Sequence, residues 1–266
     1  MRVFLFHLII LLCAFSNASW SQVTSLRGKT IHFCGDGVEW PPYEYFEQTK
    51  GKKTRNVIGF DVELIHKIFF KHGVKSTFKL PPWKRCLSEV NNGVRYQVAL
   101  SSSYNEERDK LYLMTEVVYF LTPYYFYAKQ SFPNGLDIRQ SSELTNHGRL
   151  CGLLGYNYTN FGVKNEDVER GINDFKALVG MTNRGRCKIF LARIEAIVGQ
   201  AAIGKDYLSD QKLGYAPVPK VPPEEFYMLI SRNYKYASEL KSIIDEGVAE
   251  LKHSGEMQLL LKKYFP

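Results

Sequence analysis

The sequence predicts an α/β fold in two units, each built on a mostly parallel sheet. Three observations carry this. Strand-like and helix-like segments alternate from Thr30 to Leu100, a second strand-and-turn pattern restarts at Arg149, and the four cysteines beyond residue 21 fall two in each half of the chain. Alternating elements call for parallel strands joined by right-handed crossovers. In open sheets of that kind, ligands sit beyond the carboxyl ends of the strands.

The first residues read as a targeting segment. Arg2 supplies a positive start, Val3 to Phe15 is almost unbroken apolar, and the mostly small stretch Ser16 to Ser21 follows. That is the layout of a secretory signal peptide over residues 1–21, with cleavage expected after Ala18 or Ser21 and too little length for a permanent membrane span. Cys13 makes no lipoprotein site, because bulky Leu12 precedes it. No later run is apolar enough to cross a membrane, so a soluble exported protein is expected. Roughly 245 residues remain, enough for one large domain or two ordinary ones. Losing the segment lowers the formal net charge from +8 to +7. Lys and Arg are scattered apart from Lys50 to Arg55, and an exported chain of that kind is a poor nucleic-acid binder.

Thr30 to Cys34 reads as the opening strand. In the loop Gly35 to Tyr43, Pro41 and Pro42 restrict the backbone and display Trp40 and Tyr43. Val62, Ile65, Ile68 and Phe69 recur at helical spacing, with Asp61 near the start and Gly73 at the end. Val74 to Leu80 reads as a strand and Trp83 to Asn92 as a helix closed by Gly93. Val94 to Leu100 is then the strand that delivers Ser101-Ser102-Ser103-Tyr104-Asn105-Glu106-Glu107-Arg108. Hydroxyls followed by an arginine suit an anion, most simply a carboxylate, because the guanidinium is a planar fork for two hydrogen bonds. The alternative is a solvated loop in which Arg108 pairs with Glu106 or Glu107. Both loops lie at strand ends and point to one crevice.

Arg149 to Leu154 reads as the strand of the second unit, followed by Gly155-Tyr156-Asn157-Tyr158-Thr159. Cys187 to Ala192 reads as a helix and Ile194 to Gly199 as a short strand ending at Gln200. Pro217 to Pro223 is extended, Phe226 to Ser231 is a strand, and Ala237 to Lys252 is an amphipathic helix. Cys34, Cys86, Cys151 and Cys187 are an even set in an oxidising compartment. Of the three possible pairings their positions favour Cys34–Cys86 and Cys151–Cys187; a competing zinc site lacks CxxC or matching His spacing. With no phosphate loop and no nucleophile–base motif, neither a cofactor, a metal nor a catalytic residue is expected.

In order and spacing, Trp40-Pro41-Pro42-Tyr43, Gly59-Phe60-Asp61-Val62-Glu63-Leu64, Ser101 to Arg108 with Pro123-Tyr124-Tyr125, and the strand and helix from Phe226 resemble the family 3 extracellular solute-binding proteins. These are the periplasmic receptors of polar amino-acid ABC importers. The resemblance spans essentially the whole mature chain and implies the two-lobed periplasmic-binding-protein fold, type II. Lobe 1 would take 22–128 plus 215–266 and lobe 2 would take 129–214, with hinges near Phe126 to Gln130 and Tyr215 to Pro219. It implies a periplasmic monomer that closes on a small carboxylate-bearing, amino-acid-like solute and delivers it to an importer's membrane subunits.

The resemblance also implies roles for single residues. Arg108 would clamp the solute carboxylate, helped by Ser101 and Ser103, while Trp40, Tyr43 and Trp83 offer aromatic faces to its side chain. Gly155 to Thr159 would supply a helix N-terminus to the same carboxylate, with Asn157 or Tyr158 adding a side-chain bond. One departure matters: Gln200 stands where these receptors usually place an ammonium-binding aspartate. An amide gives no charge pairing, so either Asp36 or Glu39 compensates or the solute is not a standard α-amino acid. Lys84 and Arg85 add positive charge near the crevice, although Lys84 also fits a solvated helix face and Trp83 a core position. Two further functions share the fold: a cyclohexadienyl-type dehydratase, and a soluble receptor that docks on a membrane sensor kinase.

Overall fold

The computed structural model describes residues 24–209 and 211–264. The expected signal segment, 1–21, lies outside the described residues.

The chain opens with β1 (Thr30–Cys34), whose alternation buries Ile31 and Phe33, and a hairpin of β2 (Tyr45–Thr49) and β3 (Lys52–Ile58). Helix α1 (Phe60–His72) buries Phe60, Leu64, Ile65, Ile68 and Phe69 and stops at Gly73 in the left-handed conformation. Next come β4 (Lys75–Lys79), α2 (Trp83–Asn92) and β5 (Val98–Ser103). The serines expected in a turn thus belong to the strand itself. After α3 (Glu106–Leu111), the short strands β6 (Tyr112–Met114) and β7 (Tyr119–Leu121) complete this side.

The second unit holds β8 (Pro123–Ala128), β9 (Leu150–Leu153), β10 (Val168–Ile172), α4 (Phe175–Asn183), β11 (Ile189–Arg193), α5 (Ile194–Gly199) and β12 (Leu213–Pro217). The chain then returns through β13 (Glu224–Ser231), α6 (Ala237–His253) and α7 (Glu256–Tyr264). One sheet runs β4-β1-β5-β13-β6 with β7 also on β13, and the other runs β10-β9-β11-β8-β12. β1 pairs parallel with β4 and β5, and β9 pairs parallel with β10 and β11, as the alternation requires, but β8, β12 and β13 pair antiparallel, so both sheets are mixed and not mostly parallel as expected. The chain crosses between sheets at Thr122 and again over residues 218–223. β8 and β12, where the hinges were expected, lie in the second sheet throughout.

Two local readings are corrected. Ile189–Arg193 is a strand and Ile194–Gly199 a helix, the reverse of the expectation. β11 is central and wholly buried, so it is a continuous apolar run that periodicity cannot distinguish from a buried helix. Residues 155–158 lead only into a single 3-10 turn, Thr159–Phe161, so no long helix begins there. Both expected disulfides are present. Cys34–Cys86 ties β1 to α2, and Cys151–Cys187 ties β9 to the turn before β11.

Candidate functional site

The carboxyl end of β5 organises the site. Asn105 caps α3 by accepting a hydrogen bond from the Arg108 backbone N–H at 2.7 Å. This cap turns Arg108 back over the strand end, where its Nη1 donates to the Ser103 carbonyl at 2.8 Å and to Ser103 Oγ at 2.9 Å. Its guanidinium lies 5.7 Å from the Trp83 ring centroid. Arg108 is only 7% exposed and makes no ion pair among the described residues. Burial, then the neighbouring charge of Arg193, lowers its pKa to about 10. Arg193 itself is neutralised: its Nε and Nη2 donate to the two oxygens of Glu224 at 2.7 and 2.9 Å, and Nη2 also reaches the Asn157 carbonyl.

These arginines face a wall of acids. Asp36 accepts from the Val38 N–H at 3.0 Å and from the Tyr156 hydroxyl at 2.7 Å, while burial pushes its carboxyl up. Glu44 and Asp61 are both buried and share one hydroxyl. Ser101 Oγ lies 2.5 Å from Glu44 Oε2, 2.9 Å from Asp61 Oδ2 and 2.9 Å from the Tyr119 hydroxyl. Ser101 adopts φ 47° to aim its side chain there, a conformation uncommon outside glycine. Burial raises Asp61 to about 6, and burial together with the Asp61 charge also raises Glu44. Gly35 makes room for Glu44: a Cβ on it would stand 2.7 Å from the Glu44 side chain.

Asp36, Trp40, Glu44, Trp83, Ser101, Ser103, Arg108, Tyr156, Asn157, Arg193 and Phe226 line one cavity. Six of the eight residues expected at the site therefore converge: Trp40, Trp83, Ser101, Ser103, Arg108 and Asn157. Trp40 is not displayed to solvent but buried, edge-on to Tyr156 at 5.4 Å and near Phe226 at 6.4 Å. Tyr43 stands apart from the cavity lining, stacked on Tyr119 at 4.3 Å in the core of the first unit. Gln200 is also outside the lining and donates to the Glu39 carbonyl at 3.3 Å, bridging the two units.

Of the two acids suggested as substitutes for the missing aspartate, Asp36 lines the cavity. Glu39 faces away, accepting from the Phe46 N–H and pairing with Lys53 at 3.3 Å. Lys84 and Arg85 are exposed on α2 and do not line the cavity. Sequence reasoning missed Glu44, Tyr156, Arg193 and Phe226, and it read Asp61 only as a helix-start acid. For Glu44 the available signal was an acid between two tyrosines; for Arg193 it was a charge closing a buried apolar run.

The two units touch directly around this cavity. Besides Tyr156 to Asp36 and Gln200 to Glu39, Gly199 sits against the Pro41 carbonyl so closely that a Cβ would lie 1.9 Å from that oxygen. Only glycine permits this approach.

Comparison with known proteins follows the same geometry. The family model for bacterial extracellular solute-binding proteins, family 3, matches residues 34–266. No curated protein matches the chain at the sequence level. Among solved structures, the substrate-binding protein of an amino acid ABC transporter is 20% identical, with a TM-score of 0.69 over 89% of this chain and 99% of that one. An ancestral arginine-binding protein bound to arginine is 19% identical, with a TM-score of 0.67 over 91% and 100%. A histidine kinase sensor domain with similarity to periplasmic binding proteins is 19% identical, with a TM-score of 0.67 over 91% and 97%. At these identities the likeness establishes the fold, two lobes about a cleft.

Proposed function

The chain belongs to family 3 of the bacterial extracellular solute-binding proteins, and from that premise we propose that it captures a small carboxylate-bearing, amino-acid-like solute in the cleft and delivers it to an ABC importer. One observation supports this most strongly. Arg108 is a buried cation in the cavity wall with no carboxylate paired to it among the described residues. Burying an unpaired charge is costly, and an anionic group on the solute removes that cost. Ser103 fixes the guanidinium, and Trp83 and Trp40 provide apolar faces for the rest of the solute. Closure of the second unit (123–217) on the first (the residues before Thr122 and after 223) holds the solute from both sides, and contacts present only in the closed form supply the differential affinity. The receptor acts in the periplasm as a monomer, after removal of the N-terminal segment.

A thermal-shift screen of amino acids, organic acids and short peptides tests the reading. At least one solute raises the melting temperature of the parent protein, and Arg108→Met abolishes the rise; an equal rise in the variant refutes the role of Arg108. A dehydratase is the second reading, favoured by one observation: Glu44 is a carboxyl in the cavity wall whose pKa burial and the Asp61 charge push up, the direction that suits a general acid for elimination. Ultraviolet absorbance with prephenate or arogenate decides it; the solute-binding reading expects no turnover.

A further inference from the structure

The acid wall of the cavity contains more oxygen contacts than its hydroxyl protons can satisfy. Four contacts join Ser101 Oγ, Tyr119 OH, Glu44 and Asp61, at 2.5, 2.9, 2.9 and 3.2 Å. Only Ser101 and Tyr119 bring protons as hydroxyls. Asp61 Oδ1, fully buried, has no hydrogen-bond partner, and neither has Trp40 Nε1 in the cavity wall. A proton on the Glu44–Asp61 pair supplies a third donor and narrows the deficit to one contact, and burial raises both carboxyls in the direction that retains it. The titratable groups facing Glu44 are Asp36 from the loop after β1, Asp61 from α1, Tyr119 from β7 and Tyr43 from its own loop. The cations of the cavity stand opposite, on Arg108 and on Arg193, and Arg193 is committed to Glu224. Among the described residues no cation pairs with Glu44, Asp61 or Asp36. Gln200, which gives its amide to the Glu39 carbonyl, cannot supply an anion there.

Resting on the solute-binding reading above, we propose that Glu44, supported by Asp36, selects a cationic nitrogen on the solute, and that seating this nitrogen expels the proton shared by Glu44 and Asp61. The solute is thereby a zwitterion, its carboxylate on Arg108 and its ammonium or guanidinium on the acid wall. In the binding step the Glu44 O–H bond breaks, the proton leaves to buffer, and an N–H···O contact to the carboxylate replaces it. Capture is proton-linked: affinity falls as pH falls, because protons compete with the cation for the same two carboxyls.

The test is isothermal titration of the parent receptor in buffers of different ionisation enthalpy, with probes in two sets. One set is L-arginine, L-lysine, L-ornithine and the other proteinogenic amino acids; the other is amine-free acids such as glutarate and succinate. The expected result is that the tight binders carry a cationic nitrogen and that binding releases about one proton at neutral pH. Affinity should then fall roughly tenfold for each pH unit below that range. Glu44→Gln should weaken binding roughly 10- to 100-fold and remove most of the proton release. Binding led by amine-free acids, or tight binding with no proton release, overturns the inference, and the release measured on the parent protein needs no variant to fold. If no probe in either set binds, or binding survives Arg108→Met, the solute-binding reading itself fails, a distinct outcome.

Discussion

Replacing Arg108 by methionine should make the free protein more stable and the receptor useless. Arg108 is 7% exposed, and burial lowers its pKa to about 10 from its ordinary value. At 1.36 kcal/mol per pKa unit, this disfavours the ionised form in the fold by roughly 3 kcal/mol. The sign follows directly: the folded state holds that proton less tightly than the unfolded chain, so the penalty is complete at pH 7 and eases only toward pH 10. Methionine carries no charge and fills a similar volume against Trp83. The substitution loses the hydrogen bonds to the Ser103 carbonyl and hydroxyl, about 1 kcal/mol each. About 1 kcal/mol of net stabilisation remains, a rise in melting temperature of roughly 2–4 °C for a chain of this size. In the same protein, loss of the charge-assisted contact to a solute carboxylate should cost about 2–5 kcal/mol of affinity, thirtyfold or more. Differential scanning fluorimetry with and without solute reads both effects. A variant that melts several degrees below its parent, or binds the same solute within threefold, refutes the reasoning, because Arg108 would then be a stabilising structural arginine.

Glu224→Gln should act in the opposite direction, since it strands Arg193 as a second buried unpaired cation. Breaking such a pair costs about 3–5 kcal/mol, a fall of roughly 6–20 °C by calorimetry, and adding Arg193→Met should recover much of it; a fall under 2 °C contradicts the pairing seen here. Gly199→Val should hold the units apart at the Pro41 carbonyl, lowering solute affinity at least tenfold by titration while the unliganded melting temperature changes little; unchanged affinity rules out that contact as part of closure. Because Asp61 sits near 6 when folded and near 4 when unfolded, the folded state binds its proton more tightly. Its contribution is therefore complete below about pH 4 and is lost as pH rises through 6, so Asp61→Asn should flatten the stability–pH curve of the free protein there, and an unchanged curve contradicts the effect of burial on Asp61.

Most of the first unit was legible because each element carries a local signal. β1 alternates, α1 repeats its apolar residues at helical spacing and ends on Gly73, and α2 ends on Gly93. The hairpin β2–β3 was not read, because the exposed and charged run Lys50 to Arg55 has no buried face to set a period of two. β11 and α5 were exchanged for the opposite reason, too much burial. At the site, Arg108 and Trp40 stood out because serines, glycines and prolines punctuate the chain around them. Glu44 and Asp61 acquire meaning only when Ser101 and Tyr119, from two other strands, meet them. The same holds for Arg193, whose partner Glu224 lies on the returning strand. Residue type suggests a charge, and only the fold decides which charges are already neutralised.

That distinction bears on how the receptor would choose between open and closed. Two buried arginines border the cavity and one glutamate serves them, so pairing Arg193 with Glu224 leaves Arg108 as the unpaired cation. In the proposed lobe motion, opening would return part of the Arg108 surface to water and relieve part of its penalty. In the arrangement described, the Tyr156–Asp36 and Gln200–Glu39 bonds and the Gly199 approach to Pro41 join the units while Arg108 is buried, so the proposed closure would gain those contacts and desolvate Arg108. At most the whole of that roughly 3 kcal/mol, about a hundredfold in population, would oppose closure of the empty cleft. A solute carboxylate cancels the term, so binding energy is converted into closure at the place where the empty closed form is least favourable. A receptor with glutamine at 108 would lack that opposition and close more readily when empty, and an importer that recognises the closed form would then bind unloaded receptor.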